Sequence, residues 1–289
     1  MAGCQSLVSL RGELSGDPME KITVDNMGWT SPSNDRFSKG AYRLLIVKRF
    51  HFSSSLKRMS TIVRLEHSQK DHIVLCKGAP EALLPFYATK PRGYESMCRR
   101  YAVRGYRVLA LAYRYIDESD GDVASMRRED TEHDLTFAGL LIFECPIKDD
   151  SRKVIRRLRK ASYRNVMITG DAALTACYVA SKVSIVSSKT TFRVLNVEDA
   201  SSRRVVWTDV KTGKNVPFEH VDVASDKSGL CVTGPALTAL EQDDDNAGSL
   251  LRTLVRHVHV WARTSPDQKA QIVNALRDNG DVTMMAGDG

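Results

Sequence analysis

Hydrophobic and polar positions along the chain fall into two textures. In the first, apolar runs alternate with polar turns: YRLLIVKRFHF from Tyr42, MSTIVRLE from Met59, HIVLCKG from His72 and YRVLALAYRYI from Tyr106 each predict a strand. The loop SSSLKR joins the first two, and the turn HSQKD joins the second to the third. APEALLPFYA and RGYESMCRRYAVRG read as helical, the latter stopped by Gly105. Strands grouped with helices on one side predict an α+β unit, broken near its end by the acidic loop DESDGD.

From Leu135 the texture changes to strand–helix alternation. LTFAGLLIFE predicts a strand, and Asp149 to Lys160 a helix with Val154, Ile155, Leu158 and Ala161 on one stripe. Val166, Met167 and Ile168 form a short continuous run that suits a buried strand, Gly170 permits a sharp turn, and Leu174, Ala176, Cys177, Val179 and Ala180 return at helix spacing. After an irregular stretch at 186–225, where RRVVWTDVKTGKNVPFEH reads as a hairpin decoration, the alternation resumes. LLRTLVRHV predicts a helix, HVWA a strand, SPDQKAQIVNALRDNG a helix and DVTMMAGDG a strand running into a loop. Ser265, Pro266 and Gln268 form a capping box with proline at the first helical position, and Asn279-Gly280 ends that helix. The second half thus predicts a parallel βαβ sheet, and the boundary falls between 1–134 and 135–289.

Composition narrows the class. The 289 residues suffice for two domains, and no apolar run approaches the roughly 20 residues that span a bilayer. The start, MAGCQSLVSLRGELSG, has no basic region followed by an apolar one, so no signal peptide is expected. The cysteines at 4, 76, 98, 145, 177 and 231 are scattered without C-x-x-C pairs, a pattern of buried thiols in a reducing compartment. A net charge of +7 suits an anionic ligand. Charge runs usually solvate helix faces, and no zinc-finger or aromatic RNA-binding signature directs the charge toward nucleic acid.

Candidate chemistry lies at the carboxyl ends of the parallel strands, where α/β sheets bind ligands. Thr169-Gly170-Asp171 brings a hydroxyl and a carboxylate, the Arg263-to-Lys269 segment a cation, and Gly287-Asp288-Gly289 a second carboxylate. Phosphoryl transfer needs such a set: hydroxyl and ammonium groups offset phosphate charge, and a carboxylate holds magnesium.

In this order the motifs MITGD, WARTSPDQK and AGDG resemble the phosphorylation domain of P-type ATPases, which has a haloacid-dehalogenase-like fold. The first half agrees independently. FHFSSSLKRMS, KGAPE, GYRVLALAYR and GDPMEK resemble the segments of that family's nucleotide-binding domain. The wording of FHFSSSLKRMS, CPIKDDS and GDPMEK is nearest to the type V, subgroup A pumps of the endoplasmic reticulum, understood as dislocases of transmembrane helices and formerly described as cation transporters. The resemblance implies an antiparallel-sheet nucleotide-binding domain followed by a partial haloacid-dehalogenase-like parallel-sheet domain.

It also implies roles. Phe52 would stack on adenine, with Lys57 and Lys77 around base and phosphates, Glu20 at the purine edge, Arg107 at the phosphates, and Gly78 admitting the ligand to the backbone. Thr169 and Asp171 would contact the transferred phosphoryl group, Lys269 would offset its charge, and Asp288 would ligate Mg2+. A lone Phe in a strand is more often core, but the polar, basic loop beside Phe52 favours the pocket. The expected ligand is ATP, and the expected partners are the transmembrane and actuator domains of the same parent chain. The expected place is the cytosolic face of the endoplasmic reticulum, with the membrane met only through other segments.

The family's Asp-Lys-Thr-Gly-Thr does not occur. DVKTGKN at Asp209 has Val210 between aspartate and lysine and Lys214 in place of the last threonine, and reads as a hairpin tip. The chain is therefore expected to bind ATP without forming an aspartyl-phosphate. CPIK stands where ion pumps carry Asp-Pro-Pro-Arg, which leaves their ion selectivity unsupported. The alternatives are a soluble phosphohydrolase of the same fold, or a nucleotide-binding regulatory module without catalysis.

Overall fold

The computed structural model describes residues 1–10, 13–33, 35–66, 72–117, 121–198, 204–243 and 247–287. The chain divides into two compact units, Met1–Cys98 with Val108–Phe143, and Arg99–Arg107 with the residues from Glu144 onward.

In chain order the first part holds β1 (Val8–Leu10), β2 (Glu13–Ser15), α1 (Pro18–Asn26), β3 (Thr30–Ser33), β4 (Arg36–Lys39), β5 (Tyr42–Ser53), β6 (Arg58–Leu65) and β7 (His72–Gly78). Then come α2 (Pro80–Leu83), a 3₁₀ turn (Leu84–Phe86), α3 (Tyr94–Ala102), β8 (Arg107–Tyr115), α4 (Arg128–Thr131) and β9 (Thr136–Phe143). Strands β3 to β9 form one sheet in sequence order, antiparallel from β3 through β8.

The period of two along a strand explains why HIVLCKG is an unbroken apolar run. Ile73 and Leu75 face a cluster with Leu7, Val24, Phe37 and Ile46, whereas Val74 and Cys76 face one with Ile62, Leu83, Tyr94 and Ala110. Both faces of β7 are therefore covered, and both must be apolar. Helix α1 starts where Asp17 Oδ1 accepts from the amides of Met19 (2.9 Å) and Glu20 (3.1 Å), with Pro18 at the first helical position.

The second part holds α5 (Ser151–Lys160), β10 (Met167–Ile168), α6 (Ala173–Lys182), β11 (Phe192–Val197), β12 (Val205–Asp209) and β13 (Asn215–Pro217). It continues with a 3₁₀ turn (Phe218–His220), β14 (Gly229–Thr233), α7 (Gly234–Asp243), α8 (Ala247–His257), β15 (Val260–Ala262) and α9 (Pro266–Asp278). The strand order is β10-β15-β14-β11-β12-β13. The first four are parallel, and β12 and β13 join antiparallel. Leu230, Val232 and Trp261 pack with Leu237, Leu254 and Ile272 of the helices on one face. Cys231, Val260 and Ala262 pack with Ala176, Cys177 and Ala180 of α6 on the other.

Three sequence expectations are corrected. The strand from Leu135 opens no second domain: β9 is the edge of the first sheet, and fully buried Leu135 is tied to the 3₁₀ turn at Leu84–Phe86 by its amide to the Phe86 carbonyl (2.8 Å). Alternation marks a strand but not the sheet it joins. The hairpin of β12 and β13 is no decoration either, because β12 pairs along all of β11's end and fully buried Trp207 belongs to the core. The segment after α9 is not a strand: Val282, Met284 and Met285 stand exposed, since an apolar run needs a neighbouring backbone to become one. Helix α5 forms as expected, but none of its residues is fully buried and Val154 is exposed; helical spacing specifies a stripe, not what covers it.

Burial gives the second unit a pH response. Desolvation, and then the charge of Arg164 and that of His257, hold the His259 imidazole below its ordinary range, while its Nδ1 accepts from the Leu230 amide at 3.3 Å. The unfolded chain therefore binds the proton first, and stability falls as pH drops through the ordinary imidazole range. Urea midpoints measured from about pH 7.5 down to about 5.5 should decline, and His259→Gln should flatten the decline.

Candidate functional site

Three elements converge at one end of the first sheet. The β5–β6 hairpin pairs Phe50 with Ser60 and Ser53 with Arg58, with a register shift between. This end of β6 lies against the end of β7 through Met59 with Lys77 and Arg58 with Gly78. Helix α1 supplies Glu20.

Glu20 and Lys77 meet. Each is under 10% exposed, and Lys77 Nζ donates to Glu20 Oε1. The other carboxylate oxygen accepts from the Ser6 amide at 2.8 Å. Each Glu20 oxygen thus accepts one bond from the chain itself, and one of these bonds holds Lys77.

Gly78 also has a structural reason. A Cβ there would lie 2.7 Å from Arg58 Cβ and 2.8 Å from the Lys57 carbonyl oxygen, so the neighbouring strand already requires glycine. The Ala79 amide bonds that same carbonyl at 2.9 Å, and the Lys57 amide donates to Ser53 at 2.7 Å. Between these bonds Lys57 adopts a φ of 53°, a conformation that costs a residue with a side chain about 1 kcal/mol or more. The hairpin tip is held in shape.

Phe52 is 60% exposed, so it is not the core aromatic that a strand Phe usually is. Arg107 is exposed at the start of β8, three residues before Ala110, the partner of Gly78; it is counted with the second unit. Beside His51 lies a cleft of about 560 Å³ lined by Ser6, Val8, Asp35, Val47 and Arg49 among others; none of the expected ligand residues lines it. Glu132 and Arg128, which no motif marks, bond the hairpin from the opposite sheet face.

In the second unit, pairing of β10 with β15 brings two of the three motifs together. The Thr169 amide donates to Trp261 (2.8 Å), the Thr264 amide and hydroxyl donate to the Thr169 carbonyl (3.2 and 3.0 Å), and the Arg263 amide donates to the Asp171 carbonyl (3.0 Å). Thr169 Oγ1 donates to Asp171 Oδ2 at 3.2 Å and accepts from the Asp171 amide at 3.1 Å. Helix α9 starts with the expected capping box of Ser265 and Gln268, which sets half-buried Lys269 in its first turn. Asp288 lies outside the described residues. Among those residues no group of three His, Cys, Asp or Glu could hold a metal ion. The Asp209 turn is the hairpin tip expected: its Oδ1 accepts from the Thr212 amide (2.6 Å) and hydroxyl (2.9 Å).

Residues 23–86 and 92–150 match the family described as P-type ATPase, cytoplasmic domain N. Along 95% of its length the chain is 37% identical to an endoplasmic reticulum transmembrane helix translocase of Schizosaccharomyces pombe, and along all of it 38% identical to one of Saccharomyces cerevisiae. A cation-transporting ATPase of Caenorhabditis elegans is 29% identical over the whole chain. The chain spans about a quarter of the length of these relatives (23%, 24% and 27%). Among the described residues no helix is long and apolar enough to cross a membrane.

The ion pair has a measurable consequence. Glu20→Ala strands a buried ammonium and should lower the urea-derived stability by about 3–5 kcal/mol. The double variant Glu20→Gln with Lys77→Met should lose clearly less, because no charge is then left unpaired.

Proposed function

The chain belongs to the P-type ATPases, and from that membership we propose that its first unit binds ATP for a membrane transporter. Phe52 is the adenine platform, Lys57 and Lys77 are the cations for base and phosphates, and Glu20, which holds Lys77, stands at the purine edge. Arg107 is the further phosphate contact. The observation that carries this reading is the exposed Phe52 ring near the tip of a hairpin whose backbone is bonded in place at Lys57. A large apolar ring costs free energy in water, and a flat face on a hairpin that also carries a lysine suits a base joined to phosphates.

The second unit is the later part of a haloacid-dehalogenase-like phosphorylation domain. There Thr169 and Asp171 contact the transferred phosphoryl group and Lys269 offsets its charge. Mg2+, when bound with Asp288, supplies further charge neutralisation. In the parent, ATP hydrolysis through an aspartyl-phosphate drives transport, either dislocation of transmembrane helices or movement of cations, on the cytosolic face of the endoplasmic reticulum. Transmembrane and actuator domains of the same chain are the partners. The relatives named as endoplasmic reticulum helix translocases support the first of these cargoes.

Stacking of a base on an aromatic ring is worth about 1–3 kcal/mol. Phe52→Ala should accordingly weaken ATP binding by roughly 5- to 150-fold in calorimetry, with the unfolding midpoint unchanged; unchanged affinity overturns the site. With γ-labelled ATP the 289-residue chain should retain no covalent label after free nucleotide is removed, since positioning groups without an in-line nucleophile transfer nothing. Retained label would contradict this.

A further inference from the structure

Behind the hairpin, on the sheet face opposite α1, sits an acid that the proposed site does not use. Glu132 follows α4 and is 2% exposed. Its Oε2 accepts from Arg58 Nε at 2.6 Å, and its Oε1 from Ser60 Oγ at 2.6 Å and from Arg128 Nη1 at 2.7 Å. A carboxylate removed this far from water requires such partners, and here they are two guanidinium groups and a fully buried hydroxyl.

The two arginines continue toward the hairpin. Arg128 Nη2 donates to the His51 carbonyl at 2.7 Å, so one guanidinium spans Glu132 and the residue before Phe52. Arg58 follows Lys57 directly, pairs across the strands with Ser53 and Gly78, and lies over the Phe86 ring with its guanidinium carbon 4.3 Å from the ring centre. Glu132 therefore fixes the backbone on both sides of the tip, one residue before Phe52 and one after Lys57. A planar guanidinium serves the two acceptors from separate nitrogens of a rigid fork, a geometry that the single nitrogen of an ammonium does not reproduce.

We propose that Glu132 is a positioning residue for nucleotide binding, acting through Arg128 and Arg58 on the hairpin that carries Phe52 and Lys57. The proposal rests on reading those two residues as the ATP contacts.

The test titrates ATP into the 289-residue chain and its variants and follows amide hydrogen exchange at 51–58. Glu132→Gln should weaken ATP binding about tenfold in protein that still unfolds cooperatively, accelerate exchange at 51–58 over the rest of the sheet, and be partly rescued by Glu132→Asp. A lower unfolding midpoint with wild-type ATP affinity and unchanged hairpin exchange would overturn the proposal. If Glu132→Gln does not fold, Arg128→Lys decides, since it keeps the charge and loses the bridge. Weaker ATP binding with faster hairpin exchange supports the proposal, and wild-type behaviour in both overturns it. A wild-type chain that binds no ATP overturns the nucleotide reading instead, and hairpin exchange in the same variants still decides whether Glu132 holds the tip.

Discussion

The pairing of a buried ammonium with a buried carboxylate governs the first unit. Taking Lys77 and Glu20 out of water costs several kcal/mol for each ion, which only a close partner and further hydrogen bonds offset. Glu20 sits on α1 and Lys77 at the end of a strand covered on both faces, so the helix must lie on that sheet end. The Ser6 amide, bonded to the second carboxylate oxygen, brings the first residues of the chain over the same spot. Ala2, Cys4 and Leu7 are buried there. One electrostatic requirement thus recruits a helix and the first residues of the chain, with the β1–β2 hairpin between them.

The second unit meets its main constraint with neutral groups. Gln268 accepts from the Ser265 amide (3.1 Å) through Oε1, while its Nε2 donates to the Gly234 carbonyl (2.9 Å) and to the Thr238 hydroxyl (3.1 Å). The start of α9 is thereby tied to the start of α7. Gly234 follows β14 without a loop, and a Cβ there would collide with the Arg263 backbone and the Gln268 side chain. The residue after Gln268 is Lys269, so this cation stands on a helix whose first turn is bonded to its neighbours.

How much of this was legible depended on whether the signal was local. Ser265 and Gln268 could be read because a capping box is closed within four residues. The long strands β5 to β8 could be read because burial repeats along each. Helix α1 is not legible in this way although Asp17-Pro18 marks its start, since its residues carry only a weak apolar stripe and its attachment runs through Glu20. The place of β9 and of Trp207 depended on which strand each pairs with, and a hydrophobic run does not encode that choice. Family resemblance marked Glu20 and Lys77 individually; that they bond each other required the fold to bring positions 57 residues apart together. Glu132 had no marker at all, because its partners Arg58 and Ser60 lie more than 70 residues away.

The hairpin tip is bonded from both sheet faces, and this bears on how an exposed ring can serve as a binding surface. On one face the His51 imidazole meets the Ser6 hydroxyl at 3.5 Å, close to the Glu20–Lys77 pair; on the other its carbonyl accepts from Arg128. Lys57 is fixed through its own amide and carbonyl. A ligand reaching such a tip would not have to order the backbone first, so less of its contact free energy is lost to conformational entropy. The exposed aromatic and the buried charges are then two sides of one arrangement: ions that must be sealed from water supply the rigidity that lets a single ring remain outside it.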